Sequence, residues 1–334
     1  MIRSRILGSG HYLPPKVVTN FDVMKMMETS NEFILQRTGV ERRRHAEADV
    51  SASDLAVLAC RAAVKDAGLR MDEIDLLIMN TITPDHADPG CAFFLQAKLG
   101  MEAGTGVLDI KQQCAGLIYG LSIADHYIRA GTCDHVLIAC SEVLSTRIDG
   151  SYDGRNIAIL LGDGAGAVVL GPSDDAKKGI LSTLLHADGK FAKALYTASP
   201  GSALGRKEHV TAEDVEAGRV HFRMDGKTVF EHGVQKMSDA IFETLKMHGL
   251  SMNDINVLIP HQANLRMLEE IIKRTSFPKE KVFMNVVEYG NVASASLPIA
   301  FNEARQAGMV KPGSLVLLVA FGSGFVWGSA LIQM

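Results

Sequence analysis

Short, continuous apolar runs alternate with longer amphipathic segments along the whole chain. The runs Leu76–Asn80, Val107–Ile110, Val136–Cys140, Ala165–Leu170, Val257–Pro260, Val282–Val287 and Leu315–Phe321 predict strands too apolar to keep one face in water. Between them, apolar positions at helical spacing predict helices over Ala52–Ala67, Gly116–Ala130, Thr228–His248, Leu265–Arg274 and Ala295–Ala307. Strand and helix in alternation place the chain in the α/β class, with mostly parallel sheets covered by helices on both faces. The stretch Asp188–Arg223 has no sustained period and carries Gly, Pro and Ser. It reads either as an ordered loop over a site or as a floppy excursion.

The pattern occurs twice. Gly68-Leu69-Arg70-Met71-Asp72-Glu73-Ile74-Asp75-Leu76-Leu77-Ile78 matches Gly249-Leu250-Ser251-Met252-Asn253-Asp254-Ile255-Asn256-Val257-Leu258-Ile259 at an offset of 181, with six of eleven positions identical. The helix end at Ala130-Gly131 matches Ala307-Gly308 at offset 177, and Val136–Ala139 matches Val316–Val319 at offset 180. Matches in the same order with drifting offsets are what loop insertions between two copies of one unit produce. The chain therefore divides into two α/β halves, residues 1–172 and 173–334.

Composition narrows the class. Of 334 residues, 47% are hydrophobic and 22% charged, the balance of a folded domain rather than a disordered chain. The net charge of −4 leaves no global basic footprint for nucleic acid. The longest apolar run, Leu315–Phe321, is far short of the ~20 residues that cross a bilayer. No secretory signal is expected, because Gly8, Gly10, Pro14 and Pro15 come before any apolar core. Five cysteines without a Cys-x-x-Cys pair argue against a disulfide framework and a zinc site. The expected location is the cytoplasm.

Three residues past predicted strand ends carry candidate chemistry. Cys114 precedes the Gly116–Ala130 helix, where the positive end of the helix dipole favours thiolate and should lower its pKa. The 177 offset sets Cys114 opposite Asn291, and His261 follows the second copy of the repeated strand. Strand C-terminal ends are where open α/β sheets place ligands, so the three can converge as a Cys-His-Asn nucleophilic site. Cys60, Cys91, Cys133 and Cys140 read as small apolar residues. Gly162-Asp163-Gly164-Ala165-Gly166 and Gly322-Ser323-Gly324 lack a nucleotide-loop pattern; they read as tight turns, and the second can also bring an amide beside that of Cys114 as an oxyanion hole.

The segments Gln113–Gly116, Pro260–Arg266, Gly290–Ser296 and Phe321–Gly328, with Thr29–Phe33, Arg37–Gly39 and Gly162–Ala167, resemble the β-ketoacyl-acyl carrier protein synthase III family in order and spacing over essentially the whole chain. The resemblance implies a thiolase-like fold, a duplicated five-layered αβαβα arrangement working as a homodimer. It implies that Cys114 takes the acyl group of an acyl-CoA, with no cofactor, and passes it to the carbanion left when a malonyl thioester loses carbon dioxide. The malonyl donor is malonyl-acyl carrier protein or malonyl-CoA. His261 and Asn291 would hydrogen-bond the developing enolate, a task for which a carboxylate in place of Asn291 would be repulsive. By family position Ser323 supplies the second oxyanion-hole amide. Phe33, Arg37 and Arg155 would hold CoA, and Arg266, Lys273 and Arg274 would dock the carrier protein.

Three departures qualify this picture. Phe33 stands where the family commonly has tryptophan, offering less area for stacking on adenine. Glu231 replaces a basic residue near the mouth. Asp88, in the loop Thr81–Pro89 expected to gate the partner subunit's acyl pocket, occupies an apolar position. This loop, Phe33, Gly154–Asn156 and Gly322–Gly324 look more like the alkylquinolone-pathway condensing enzyme, which loads an anthraniloyl group. A specialised aroyl or medium-chain primer, or non-decarboxylative joining of two acyl chains, is thus an alternative. A non-catalytic acyl-binding partner subunit is a further one, although such a module needs none of Cys114, His261 and Asn291.

Overall fold

The computed structural model describes residues 3–152, 154–175 and 177–334. Its main strands are β1 (Arg3–Tyr12), β2 (Leu76–Asn80), β3 (Gly106–Ile110), β4 (Val136–Val143), β5 (Asp163–Ser173), β6 (Gly179–Ala187), β7 (Val257–Pro260), β8 (Leu315–Gly322) and β9 (Val326–Gln333). The main helices are α1 (Ala52–Asp66), α2 (Cys91–Leu99), α3 (Gly116–Arg129), α4 (Gly226–His248), α5 (Leu265–Thr275) and α6 (Ser296–Gln306).

The first sheet has the order β1-β5-β4-β2-β3 and the second β6-β9-β8-β7. Each strand of the second sheet takes the place and direction of its counterpart in the first. Strands β2 and β4 run parallel, as do β7 and β8, while β4–β5, β5–β1, β8–β9 and β9–β6 are antiparallel. The position of β3 is taken in the second sheet by a single parallel bridge, Leu258 to Val282. Here the predicted strand Val282–Val287 fails for a local reason. The backbone N–H groups of Asn285 and Val286 donate to Gln262 Oε1 at 2.9 and 3.2 Å instead of to a strand, and Val286–Tyr289 turns helical.

Three apolar cores separate five layers. Helices α1 and α2 cover the first sheet through Leu55, Leu95, Leu77 and Met79. Helices α3 and α6 lie between the sheets, where Leu117, Ile118, Leu297 and Ile299 meet Ile78, Ile138, Ile259 and Leu318. Helices α4 and α5 cover the second sheet through Met237, Ile241, Met267 and Leu317. Successive strand side chains point to opposite faces, and both faces are covered. Apolar runs therefore arise in antiparallel strands too, which is why the sheets are mixed and not mostly parallel as the sequence pattern suggested.

Two excursions shape the site. Residues 17–44 pair a short strand, Val17–Thr19, with Arg42–Arg44 and carry the helices Asn20–Met26 and Asn31–Thr38. Fully buried Arg43 fastens this excursion, donating to Asn20 Oδ1 at 2.8 Å and to the Ile159 carbonyl at 2.6 Å. The segment Asp188–Arg223 is ordered, with Leu195–Tyr196 paired to Arg223–Met224 and a helical turn at Ala212–Glu216. Buried Asp214 gathers it by accepting from Ser199, Arg206, Thr211 and Arg219.

Candidate active site

The turn that carries Cys114 is built from the end of β2. Asn80 Oδ1 accepts the Gln112 N–H at 2.8 Å, and its amide donates to the Gln113 carbonyl at 3.4 Å. Gln113 is thereby held at φ 50°, a left-handed conformation costly for a residue with a side chain. Gly116 must lack a Cβ here, since one would lie 2.4 Å from the Asn80 amide. The turn delivers Cys114 to the start of α3. From the second sheet, Gly322 at the end of β8 packs on it so closely that a Cβ would lie 2.8 Å from the Cys114 nitrogen. Ser323 follows at the hairpin tip.

Burial pushes the Cys114 thiol up to about 12, and the nearby Glu142 carboxylate adds to the effect. The helix N-terminus was expected to lower this pKa. Desolvation of the charged form outweighs it, and the resting group is a thiol. Cys114, Ile82, Leu144, Leu161, Ala293, Ile157 and Phe222 form one apolar cluster.

His261 follows β7, its N–H donating to the Val319 carbonyl of β8 at 2.8 Å. It is buried, its Nδ1 has no hydrogen-bond partner, and burial lowers its pKa to about 3, so it is neutral. Among the described residues no hydrogen bond joins it to Cys114. Asn291 is tied to the Cys114 cluster through Leu161, with which it forms a parallel bridge. Its backbone donates to the Leu160 carbonyl at 2.7 Å, and its Oδ1 accepts the Ala293 N–H at 2.8 Å. With Oδ1 engaged, the Nδ2 group remains as donor.

The structure pairs the two copies of the repeat differently from the 177 offset. Ala293 has φ 40°, against 50° at Gln113, and each opens a short 3-10 turn that runs into a central helix. Gln113 thus corresponds to Ala293 at offset 180, and Cys114 to Ser294, not to Asn291. Fully buried Ser294 donates to Glu142 Oε1 at 2.5 Å. Glu142 Oε2 accepts from Ile82 N–H, Thr81 and Thr83 at 3.1, 3.3 and 3.0 Å. Burial raises this carboxyl to about 7, against which the four hydrogen bonds act.

A cavity of about 750 Å³ opens between the residue 17–44 excursion and helices α4 and α5. Phe33, Arg37, Leu160, Glu231, Asn264 and Arg266 are among its lining residues. Two guanidinium groups approach the Phe33 ring, Arg37 at 5.6 Å and Arg155 at 5.1 Å from its centroid. Arg155 also stacks at 3.8 Å on exposed Tyr152.

Residues 108–189 match the family described as 3-oxoacyl-[acyl-carrier-protein (ACP)] synthase III, and residues 245–334 match its C-terminal part. Over 332 residues the chain is 44% identical to the β-ketoacyl-[acyl-carrier-protein] synthase III of Xanthomonas campestris pv. campestris, covering 99% of this chain and 98% of that one. The chain belongs to the β-ketoacyl-[acyl-carrier-protein] synthase III family. The synthase III of Thiobacillus denitrificans is 42% identical over all of both chains. The crystal structure of the Aquifex aeolicus synthase III superimposes with a TM-score of 0.88 at 37% identity, over 99% of this chain and 100% of that one. The thiolase-like fold expected from the resemblance is the fold observed.

Within this synthase III chain the predicted residues fall into three groups, with Asp88 apart from all of them. Cys114, Ser323 and Asn291 are drawn together by the Cys114 turn, the β8–β9 hairpin and Leu161, with His261 on the neighbouring strand end. Phe33, Arg37, Arg155 and Arg266 surround the large cavity or its rim. Lys273 and Arg274 lie further along α5, with Glu270 at 3.5 Å and Asp239 at 3.9 Å. Asp88 is exposed at the tip of its loop and lines neither the large cavity nor a smaller one beside Cys114. Sequence reasoning missed Glu142, Ser294, Arg147 and Tyr152. At offset 180, Asn291-Val292-Ala293-Ser294 falls on Lys111-Gln112-Gln113-Cys114, and that alignment was the available signal for Ser294. Among the described residues no group of three or more His, Cys, Asp and Glu could hold a metal ion, and no helix is long and apolar enough to cross a membrane.

Proposed function

We propose that this chain joins an acyl-CoA primer to a malonyl thioester by decarboxylative condensation, with Cys114 as acyl carrier and His261 and Asn291 as enolate donors. In the first stage Cys114 Sγ attacks the thioester carbonyl. The new S–C bond replaces the bond to CoA, which leaves as the thiol with the proton that Cys114 gives up. In the second, the malonyl C–C bond to the carboxylate breaks, carbon dioxide leaves, and its electron pair forms the enolate. The enolate carbon attacks acyl-Cys114, a C–C bond forms, and Cys114 departs and regains a proton.

The observation that carries this reading is the meeting of the two halves at Cys114: a strained turn on one side and the Gly322-Ser323 hairpin on the other. The Cys114 and Ser323 amides are suited to an oxyanion hole for the tetrahedral intermediate. A neutral imidazole and an anchored amide are both hydrogen-bond donors that stabilise an enolate without placing a negative charge beside it. Phe33, Arg37 and Arg155 fit the adenine and phosphates of CoA, since guanidinium groups pair with phosphate and an aromatic face stacks on a base. Arg266 at the cavity rim supports docking of an acidic carrier protein. Lys273 and Arg274 support it less, because acidic neighbours share their charge. The open outer edge of β3 and its half-buried Val107, Leu108 and Ile110 support a homodimer in which the Asp88 loop gates the partner's pocket. The family and the absence of a spanning helix among the described residues favour a cytoplasmic enzyme without a cofactor.

Intact-protein mass after brief exposure to a panel of acyl-CoAs tests the first stage. One acyl adduct is expected on the wild type and none on Cys114→Ala. An adduct that persists in Cys114→Ala would overturn the assignment.

A further inference from the structure

A second cavity, of about 260 Å³, opens beside Cys114 between Gln113 and Ser323. Its volume lies below the roughly 300–1,000 Å³ of sites for drug-sized ligands, so it suits a short acyl group. Beside apolar Ile82, Leu195 and Phe222, its lining carries charged and polar groups. Arg147 lines it half-buried, 5.8 Å from the ring centroid of Phe222, which itself packs on the Cys114 cluster. Among the described residues no carboxylate lies within ion-pair distance of Arg147. Glu142 contributes a favourable field there, but its oxygens are taken by Ser294, Thr81, Thr83 and Ile82. Lys111 brings a second cation, also without an ion-pair partner among the described residues. Thr197 adds a buried hydroxyl with no hydrogen-bond partner.

Half-buried Arg147 and exposed Lys111 are cations without a carboxylate partner among the described residues, and the Thr197 hydroxyl is a buried donor that is costly when left unpaired. A carboxylate supplies two oxygens, and a guanidinium can hold both at once. We infer that this cavity receives a short acyl group whose far end carries a carboxylate, held by Arg147 with Lys111 and Thr197. The inference rests on the reading of Cys114 as acyl carrier. Loading is the thioester exchange already described, in which Sγ–C forms, the bond to CoA breaks and the distal carboxylate takes no covalent part.

The test is the rate of adduct formation on the full chain with succinyl-CoA, glutaryl-CoA and butyryl-CoA, read by intact mass. The wild type is expected to load succinyl or glutaryl groups about tenfold or more faster than butyryl, the low end of what a charge-assisted hydrogen bond supplies. Arg147→Met should collapse that ratio to near unity, and Arg147→Lys, which keeps the charge, should retain part of it. Faster loading of butyryl by the wild type would overturn the inference while leaving Cys114 as carrier. A ratio unchanged in Arg147→Met, with or without dissociation of a dimer, would overturn it as well. No adduct from any primer would overturn the underlying reading, and the inference with it.

Discussion

At the scale of single residues, burial moves three side chains of the site toward their uncharged forms. Cys114 is a thiol, His261 a neutral imidazole, and Glu142 titrates near neutrality because burial works against four hydrogen bonds. Glu142 and Cys114 are linked, since a carboxylate near the sulfur disfavours thiolate. Alkylation of Cys114 by iodoacetamide should therefore keep rising with pH past the ordinary thiol range near about 8.5. In Glu142→Gln the rate should match the wild type below about pH 7, where the carboxyl is protonated, and exceed it above, where the wild type carries the charge. Superimposable profiles would show that the two groups do not communicate. Cys114, His261 and Asn291 were legible because each stands just past the end of an apolar run. Glu142 was not, because it lies inside strand β4, and its partners come from Thr81–Thr83 and Ser294, far away in sequence.

At the scale of elements, the decisive contact is that of the β8–β9 hairpin on the Cys114 turn. Gly322 allows it, because a methyl group would meet the Cys114 nitrogen at 2.8 Å and the Gln113 Cβ at 3.0 Å. Gly322→Ala should push the hairpin tip away and misplace the Ser323 amide. Loss of one oxyanion donor costs about 10²–10³ in kcat, and a fall of that order is expected with KM for acyl-CoA little changed. An unaltered kcat would contradict the role given to this hairpin. The elements that sequence pattern identified correctly are those with one dominant environment, such as β2 between two helical layers. Strand β1 escaped because its Gly8 and Gly10 replace the apolar signal. A Cβ at either would lie 2.4 or 2.5 Å from the α1 backbone, so close packing, not hydrophobicity, decides those positions. Val282–Val287 was misread because a single side chain, Gln262, takes the donors a strand would use.

At the scale of the whole molecule, duplication explains both the layers and the single site. Both sheets repeat one strand order, and both halves present a left-handed turn at the head of a central helix, Gln113 in one and Ala293 in the other. The copies have diverged in chemistry: the first turn carries Cys114 next to Gln113, which lines a cavity, whereas the second buries Ser294 against Glu142. The repeated segment around Gly68 and Gly249 made the duplication legible. The exact pairing of the two turns needed backbone conformation, since loop lengths shift the offset between 177 and 181. The central claim is that acyl transfer and decarboxylation are coupled at one centre made by both halves. A single-turnover experiment tests it most directly: Cys114 loaded with its primer, mixed with malonyl thioester, with carbon dioxide, 3-oxoacyl product and remaining adduct measured together. The account predicts one carbon dioxide and one 3-oxoacyl product for each adduct discharged, with discharge slowed in Asn291→Ala although loading persists. Discharge of the adduct by malonyl thioester without carbon dioxide or a new C–C bond would contradict it.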